Sequence, residues 1–387
     1  MAKLGEVCTI VSGSTPKTSV TSYWDGNIKW ITPAELNEDT FYIMDSVRHI
    51  TEEGKEKTGL SYLPTGTVIL SSRAPIGKTA IAGCKMCCNQ GFKNLICSDA
   101  IYNEYLYFFL KSKTDYLNSL GRGATFKEIS KSIVESIEIP LPEVKQQKEI
   151  AEKFKKLEQL ISLRKQQLAK LDELVKARFV EMFGEISDNS MNWDCFTIGK
   201  LISTIESGWS GNGKQREKHA DEIAVLKVSA VTKGYFIPTE CKVLDDQHNI
   251  KKYVYPQKGD ILFSRANTKE MVGATVLIKK DYPDLILPDK LWKIRFCTDV
   301  NPIYMKHVLS TTTVRNAFSA ASTGTSGSMY NVSMEKFKGV IIPVPPLSVQ
   351  NEFAAFVERV DQQKQTVQQS LEKLELMKKA LMQEYFG

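Results

Sequence analysis

Two stretches of the chain carry apolar residues in a heptad pattern. Pro140 and Pro142 precede the first stretch, and Pro343, Pro345 and Pro346 precede the second, so helix is excluded before each. Beyond the prolines, apolar residues recur at alternating spacings of four and three, the pattern of a coiled-coil seam. These seam residues are Ile150, Phe154, Leu157, Ile161, Leu168, Leu171, Val175 and Met182 in the first stretch, and Phe353, Val357, Val360, Val367, Leu371, Leu374 and Leu381 in the second. The pattern predicts two helices of roughly 38 residues, each about 57 Å long at about 1.5 Å per residue.

Basic residues occupy the remaining seam positions. Arg164 and Arg178 do so in the first stretch, and Lys364 and Lys378 do so in the second. The interruptions differ, because Arg164 aligns with an apolar residue of the second stretch and Lys364 with an apolar residue of the first. This difference favours two helices that pair with each other; the alternative is two independent surface helices. An antiparallel pair would hold the globular parts at opposite ends, about a pseudo-twofold axis.

Both stretches belong to an internal repeat with a constant shift of 203 residues, as from Pro140 to Pro343. The segments that match at this shift without a gap are residues 137–142 and 340–345, 147–151 and 350–354, and 181–184 and 384–387. The upstream segments that match more loosely are residues 4–7 and 198–201, 66–73 and 259–265, and 94–99 and 292–299. Each half of the chain is therefore predicted to be a variable globular part followed by a near-uniform helix.

The repeat and the helices together predict the organisation of the chain. The predicted fold class is α+β, with two similar globular α/β domains joined by two long antiparallel coiled-coil helices in a pseudo-twofold internal repeat. The predicted boundaries are residues 1–142 for the first globular domain, 143–184 for the central helix, 185–193 for a polar linker, 194–345 for the second globular domain and 346–387 for the C-terminal helix. Two similar but non-identical domains on a rigid spacer suit a bipartite DNA target. DNA-binding proteins with twofold symmetry place their two recognition domains about one helical turn apart, roughly 34 Å, or a multiple of that distance.

The composition narrows the class of protein. The formal net charge is +6 and the sequence pI is about 8.7, which permits a polyanionic partner. Apolar runs of the roughly 20 residues that span a bilayer are missing, as is a secretion signal in residues 1–5, so a cytoplasmic location is expected. The eight cysteines are predicted to be reduced thiols. Cys84 and Cys87 have the spacing of half a zinc site, but a second ligand pair at a suitable spacing is missing, so no metal is predicted.

Motifs that look catalytic do not meet the requirements of their classes. Residues 77–79 look like the end of a phosphate-binding P-loop, but its first glycine would fall at Ser72. Residues 301–304, Asn-Pro-Ile-Tyr, look like the Asn-Pro-Pro-Tyr motif of adenine methyltransferases. The repeat instead predicts a helix start there, with Asp299 or Asn301 as N-cap. Histidine and acidic residues do not cluster into a recognisable catalytic set, which favours a binding protein.

Several segments resemble a known family. Residues 13–17, Gly-Ser-Thr-Pro-Lys, followed by residues 23–32, resemble the opening of type I restriction–modification specificity subunits. Residues 140–151 and their copy at 343–354 resemble the segments that lead into the helices of the same family. The resemblance covers essentially the whole chain, in the family's order of recognition domain, helix, recognition domain and helix. The second domain departs from the pattern at residues 207–214, which replace Gly-x-Thr-Pro-Lys.

The resemblance implies a function and a set of partners. Such a subunit recognises a bipartite, asymmetric double-stranded DNA target, with one half-site for each recognition domain, and performs no catalysis. It assembles through its helices with two methyltransferase subunits, and restriction subunits bind to those. The partners would carry S-adenosylmethionine, ATP and Mg²⁺, and this chain would bind no cofactor; the seam residues given above would pair the helices and support the partners. The alternatives are a stand-alone modification enzyme and a coiled-coil scaffold that binds protein.

Basic and polar residues near strand ends and in glycine-rich loops are the predicted DNA contacts. Arg73 and Arg265 each end an apolar, strand-like run, where a guanidinium can bind guanine or phosphate. Glycine-rich residues 121–127 align with residues 324–330, and such loops let backbone N–H groups approach phosphates. The alternatives are a solvated strand-end arginine and a plain connecting loop. The full predicted set is Lys17, Thr32, Arg73, Lys78, Arg122, Thr125 and Lys127 in the first half, and Lys214, Arg265, Asn267, Lys269, Thr325, Tyr330 and Asn331 in the second.

Overall fold

The structure is a computed structural model in which the chain divides into two compact units. It describes residues 1–37, 40–73, 75–123, 127–219, 222–321, 323–324 and 330–387. The first unit is Met1–Gln166 with Gln368–Gly387, and the second is Gln167–Val367. Each long helix therefore contributes one part to each unit. Among the helices in these described ranges, none has the length and apolarity needed to cross a membrane.

Short strands and helices precede a long helix in the first half of the chain. In chain order they are β1 (Ala2–Lys3), α1 (Leu4–Val7), β2 (Cys8–Ser12), β3 (Trp24–Ile31), β4 (Tyr42–Ile43), β5 (Arg48–Ile50), α2 (Glu52–Thr58), β6 (Val68–Ser71), β7 (Thr79–Ala82), β8 (Cys87–Cys88), β9 (Phe92–Cys97), α3 (Asn103–Ser112), α4 (Thr114–Leu120), α5 (Lys131–Ser136), β10 (Glu138–Ile139) and α6 (Val144–Phe183). Strand β6 is buried along its whole length, as a strand covered on both faces should be.

The second half repeats this plan. Its elements are β11 (Cys195–Thr197), α7 (Ile198–Leu201), β12 (Ile202–Ser207), β13 (Gly213–Lys214), β14 (Ala224–Leu226), β15 (Cys241–Leu244), β16 (Ile261–Ser264), β17 (Ala266–Asn267), β18 (Thr275–Leu277), β19 (Leu285–Ile286), β20 (Leu291–Phe296), α8 (Pro302–Ser310), α9 (Thr312–Ala321), β21 (Thr323–Gly324), β22 (Tyr330–Asn331), α10 (Met334–Gly339), β23 (Ile341–Pro343) and α11 (Leu347–Phe386). Short 3₁₀ turns lie at Thr21–Tyr23, Pro33–Glu35 and Val228–Ala230.

The sheets share one topology in the two halves. One sheet of the first half has the order β2-β9-β6-β7-β4, and its counterpart in the second half is β12-β20-β16-β18. In the other main sheet, β3 pairs antiparallel with β5 and parallel with β8, just as β14 pairs antiparallel with β15 and parallel with β19. The repeat therefore extends into the globular parts, where the sequences have diverged.

The long helices pair antiparallel within each unit. In the first unit, Lys153 donates to the hydroxyl of Tyr385 (3.0 Å), and Lys378 contacts Glu158 (2.6 Å), so residue numbers rise along α6 as they fall along α11. All of the predicted apolar seam residues are buried or half-buried in the structure. The pairing of these apolar faces removes them from water, which is what stabilises such a seam.

The basic residues of the seam are met by acceptors on the facing helix. In the second unit, Lys364 contacts Asp172 (2.5 Å) and Arg178 contacts Glu352 (3.0 Å). Desolvating a charge without a partner is costly, so these carboxylates stabilise Lys364 and Arg178 at the seam.

A buried glutamine joins the start of α6 to the first globular part. The amide oxygen of Gln147 accepts from the backbone N–H of Tyr102 (2.8 Å), and its amide nitrogen donates to the carbonyl oxygens of Ala100 (3.0 Å) and Pro142 (2.8 Å). Gln147 is fully buried, and these bonds satisfy both ends of its amide. The contact fixes the beginning of α6 against the N-cap of α3.

Gln350 forms the equivalent joint in the second half. Its amide oxygen accepts from the backbone N–H of Asn301 (2.9 Å), and its amide nitrogen donates to the carbonyl of Pro345 (2.7 Å). Asn301 is the N-cap of α8, its side chain accepts from the N–H of Ile303, and Pro302 occupies the first turn. The prediction that residues 301–304 begin a helix is therefore confirmed, with Asn301 as the cap.

Each long helix also ends in an aromatic core. Phe183, at the end of α6, packs against Tyr304 (4.8 Å between ring centroids) and Phe353 (5.3 Å). Its counterpart Phe386, at the end of α11, stacks on Phe154 (5.7 Å). Both phenylalanines are buried, which explains why Met-Phe-Gly and Tyr-Phe-Gly recur at the two helix ends.

Candidate nucleic-acid interface

The loop after β2 is held against the segment that follows β8. The backbone N–H of Ser14 donates to the carbonyl of Cys88 (3.0 Å), and the indole N–H of Trp30 donates to the carbonyl of Ser14 (3.0 Å). Gly13 lies so close to this segment that a Cβ there would overlap the carbonyl oxygen of Asn89. Only glycine permits this close approach of the backbone at residue 13. Lys17 follows in the same loop and is exposed.

The loop after β12 is anchored in the same way despite its different sequence. The N–H of Trp209 donates to the carbonyl of Leu287 (2.9 Å), and a Cβ on Gly208 would overlap that carbonyl. Gly208 is therefore the structural counterpart of Gly13. The loop continues to Lys214, which is exposed on β13.

A frame of backbone hydrogen bonds surrounds the end of β6. The N–H of Ser72 donates to the carbonyl of Gly91 (2.8 Å), and its carbonyl accepts from the N–H of Ile129 (3.0 Å). Arg73, the next residue, forms an antiparallel bridge with Glu128. This frame joins three segments that are far apart in the sequence.

The second half has the same frame, but the sequence alignment of its arginine is wrong by one residue. The N–H of Arg265 donates to the carbonyl of Lys290 (3.1 Å), and its carbonyl accepts from the N–H of Val332 (2.9 Å). These are the bonds that Ser72 makes, so Arg265 corresponds to Ser72 and not to Arg73. The alignment matched arginine with arginine, whereas the hydrogen bonds define the equivalent positions.

A hairpin in the glycine-rich segment brings predicted contacts together in the first half. Arg122 and Glu128 exchange both backbone hydrogen bonds, each 3.0 Å long. Because Arg73 pairs with the other side of Glu128, the strand end and the hairpin lie side by side. We call Arg73, Arg122 and Lys127, which precedes Glu128 in the chain, the first basic cluster.

The equivalent hairpin of the second half is longer. Asn331 pairs with both Ala266 and Thr323, and Tyr330 pairs with both Asn267 and Gly324. The structure thus brings Asn267, Tyr330 and Asn331 together next to Arg265.

The predicted alignment of the two hairpins is wrong for the first strand of each hairpin. Glu128 corresponds to Asn331 at the expected shift, but its partner Arg122 corresponds to Thr323 instead of residue 325. The second hairpin is longer between its paired residues, and an alignment without a gap cannot show this.

Lys17 and the cations of the first basic cluster lack acidic partners among the described residues. Lys17, Arg122 and Lys127 are exposed and Arg73 is half-buried. Within the ranges that the structure describes, their side chains make neither an ion pair nor a hydrogen bond. Their charge is therefore available to a ligand, in contrast to the paired lysines and arginines of the helix seam.

The predicted residues of the second half have mixed surroundings. Arg265 donates from Nε to the carbonyl of Asp289 (3.0 Å), which orients its guanidinium. Asn267 accepts from the N–H of Thr268 (2.8 Å) and is half-buried. Lys269, in the turn that follows, is exposed.

Thr32 and Lys78 both form hydrogen bonds to the same short turn. The ammonium of Lys78 donates to the carbonyls of Leu36 (2.6 Å) and Pro33 (3.2 Å), and the Thr32 hydroxyl donates to Glu35 (3.0 Å). These bonds hold the 3₁₀ turn Pro33–Glu35 in place. The structure does not bring either side chain into the first basic cluster. Two further predicted contacts, Thr125 and Thr325, lie outside the described residues.

Sequence reasoning missed Lys93 and Glu128. The Lys93 ammonium lies 3.1 Å from a carboxylate oxygen of Glu128. Two signals were present: a lysine inside the apolar strand β9, and an acid directly after Lys127 in a basic segment.

The cysteines with zinc-like spacing have other surroundings. Cys87 is buried in β8, and burial raises the pKa of its thiol to about 11, while Cys84 lies against the carbonyl of Met44 (3.2 Å). In the described part of the chain, no cluster of three or more His, Cys, Asp or Glu residues could hold a metal.

Known proteins resemble the chain in sequence. The family described as type I restriction modification DNA specificity domain matches residues 1–173 and again residues 192–376. The MjaIX specificity subunit of a type I restriction enzyme from Methanocaldococcus jannaschii is 31% identical over 319 residues, which cover 72% of this chain and 73% of that protein. The EcoKI specificity subunit from Escherichia coli K12 is 26% identical over 308 residues, which cover 75% of this chain and 65% of that protein.

Solved structures share the fold. A chain from work on complex assembly and conformational transition of the type I R-M system gives a TM-score of 0.60 at 17% identity, covering 100% of this chain and 96% of that chain. The type I restriction–modification S subunit from M. genitalium gives 0.58 at 13% identity, covering 100% and 95%.

These comparisons confirm the family resemblance, the fold class and the predicted role of a targeting subunit that is not itself the catalyst. The specificity domain occurs twice, in agreement with the repeat of sheets and helices described above. The chain belongs to the family of type I restriction–modification DNA specificity subunits.

Proposed function

We propose that this specificity subunit recognises a bipartite, asymmetric double-stranded DNA target, with one half-site bound by each unit. The supporting observation is that the two halves share one pattern of backbone hydrogen bonds but carry different side chains on it. Ser72 and Glu128 of the first half are replaced at equivalent positions by Arg265 and Asn331 of the second. Two surfaces of the same geometry but different chemistry suit two different half-sites.

Phosphate contacts would position the subunit, and polar side chains would read the bases. We assign phosphate contacts to the cations that have no acidic partner among the described residues, because condensed counterions are released when such groups bind DNA. These are Lys17, Arg73, Arg122 and Lys127 in the first half and Lys214 and Lys269 in the second. Arg265 can bind guanine, and Asn267 and Asn331 can bind adenine, through paired hydrogen bonds in the major groove.

Five predicted residues have other roles in this proposal. Thr32 and Lys78 would support the surface by holding the turn Pro33–Glu35. Thr125 and Thr325 remain predicted phosphate contacts of the two glycine-rich loops. Tyr330, which pairs with Asn267 across the second hairpin, would contact DNA beside it.

The partners would bind to α6 and α11. Two methyltransferase subunits would dock there, and restriction subunits would join through them in the cytoplasm. Exposed apolar side chains support this, since Leu160, Leu163, Leu376 and Met377 lie 46–69% exposed on the paired helices of the first unit. S-adenosylmethionine, ATP and Mg²⁺ would be bound by those partners.

The test is to map DNA methylation by the subunit assembled with its cognate methyltransferase. Arg265→Ala should relax the preferred bases in one half of the methylated motif and leave the other half unchanged. The matched variant Arg122→Ala should lower methylation without changing the bases preferred in either half, because it removes a phosphate contact. Equal relaxation of both half-sites by Arg265→Ala would contradict the assignment of one half-site to each unit.

A further inference from the structure

An acidic residue lies in the middle of the first basic cluster. Glu128 is paired in the backbone with Arg73 on one side and with Arg122 on the other. Residues directly opposite each other in antiparallel strands point to the same face, with Cβ atoms roughly 5 Å apart. Both guanidiniums are therefore within reach of the Glu128 carboxylate, yet neither forms an ion pair with it in the described parts of the chain.

The Glu128 carboxylate instead contacts two buried residues, Lys93 and Ser72. Lys93 lies 3.1 Å from Glu128 Oε1, and the hydroxyl of Ser72 donates to the same oxygen (3.4 Å). Lys93 is only 7% exposed, on a strand whose flanking residues Phe92 and Asn94 are fully buried. A lysine so far from water needs a nearby negative charge, and Glu128 supplies it.

The second half has no such pair at the equivalent positions. Leu70 pairs with Lys93 as Phe263 pairs with Trp292, so the indole of Trp292 takes the place of Lys93. Asn331 takes the place of Glu128. An ion pair at these positions is thus particular to the half that carries two arginines beside its hairpin.

We propose that Lys93 is a positioning residue for DNA binding by the first half. Lys93 holds the carboxylate of Glu128 away from Arg73 and Arg122, so that both guanidiniums stay free for phosphate. This inference rests on the proposed function, because it assigns these arginines to phosphate.

The inference predicts an asymmetric response to mutation. Lys93→Met frees the carboxylate to pair with an arginine, so about one phosphate contact is lost. The slope of log K against log salt should become less steep by about 0.9, with a several-fold loss of affinity at low salt. Adding Glu128→Gln to Lys93→Met should restore both quantities, because the competing charge is gone. Glu128→Gln alone should bind at least as tightly as the wild type, because its amide oxygen can still accept from Lys93 and carries no charge that competes for the arginines.

The experiment uses the full chain with its methyltransferase partner and a fluorescent 30-base-pair duplex of random sequence. Binding would be measured by anisotropy from 50 to 250 mM KCl. Lys293→Met is the matched control, since it breaks the ion pair of another buried lysine with Asp260 (3.3 Å) on a strand of the second half, and Asp260 keeps Arg295 as a partner. This control should leave the slope unchanged.

Three results would overturn the inference: an unchanged slope for Lys93→Met, a loss that Glu128→Gln does not rescue, or an equal loss in Glu128→Gln alone. The last would show that the pair only stabilises the hairpin. A wild-type chain that fails to bind the duplex would instead overturn the proposed function itself.

Discussion

The side chain of His307 shows how one residue can make the fold sensitive to pH. Its ring packs against Phe353 (5.1 Å between centroids) and Phe179 (6.2 Å). Loss of hydration there, together with the charges of Lys306 and Lys364, lowers the pKa of His307 to about 3. The unfolded chain, with a histidine pKa near 6.5, binds a proton in the window between these values that the folded chain does not. Folding stability is therefore lost as the pH falls from about 6.5 towards 3.

Replacing His307 with phenylalanine should remove this contribution. His307→Phe should lose less stability than the wild type between pH 7 and pH 5, as measured by urea unfolding at both values. The exposed His248, changed to Phe, is the control and should leave the difference between the two pH values as it is. An unchanged pH dependence in His307→Phe would show that the pKa of His307 is not lowered by folding.

At the scale of elements, the buried seam between α6 and α11 contributes to the stability of both units. Val175 is 7% exposed and packs in the core that contains Phe179 and Phe183. Val175→Asp would bury a carboxylate without a partner, and we expect it to cost about 3 kcal/mol of unfolding free energy. The neighbouring Lys176 is exposed, so Lys176→Asp should cost under about 1 kcal/mol. Urea unfolding of the two variants measures the difference, and equal losses would argue against a buried seam.

The long helices could be predicted closely from the sequence, because their period is constant and prolines mark their beginnings. The loops could not, since hydrogen bonds rather than residue types define their equivalent positions. Arg265 illustrates this: it occupies the frame position of Ser72, although it resembles the next residue, Arg73. Likewise, Gly208 takes the place of Gly13 in a loop whose sequence gives little sign of it. The ion pair of Lys93 and Glu128 joins distant segments that only the folded sheet brings together.

At the scale of the whole molecule, electrostatics should control DNA affinity. The net charge of +6 is small, but the basic residues are distributed unevenly. Arg178, Lys364 and Lys378 of the seam form ion pairs, whereas the residues proposed to contact phosphate lack acidic partners in the described parts of the chain. The proposed phosphate contacts together with Arg265 would give a slope of log K against log salt of roughly −6 on a random duplex. Lys127→Ala should reduce the slope by about 0.9, while Lys364→Ile, in the seam, should not change it. A slope near zero in the wild type would contradict the proposed contacts.

The buried joints at Gln147 and Gln350 have a consequence for how such a protein can change. Both amides bond only to main-chain atoms of the globular parts, namely the N–H groups of Tyr102 and Asn301 and nearby carbonyls. Main-chain atoms are the same whatever side chains surround them. A recombination event could therefore graft a recognition domain of unrelated sequence onto the same helices, provided that its own helix began at the same place. The subunit would in this way acquire a new target while the contacts between its helices and its globular parts stay the same.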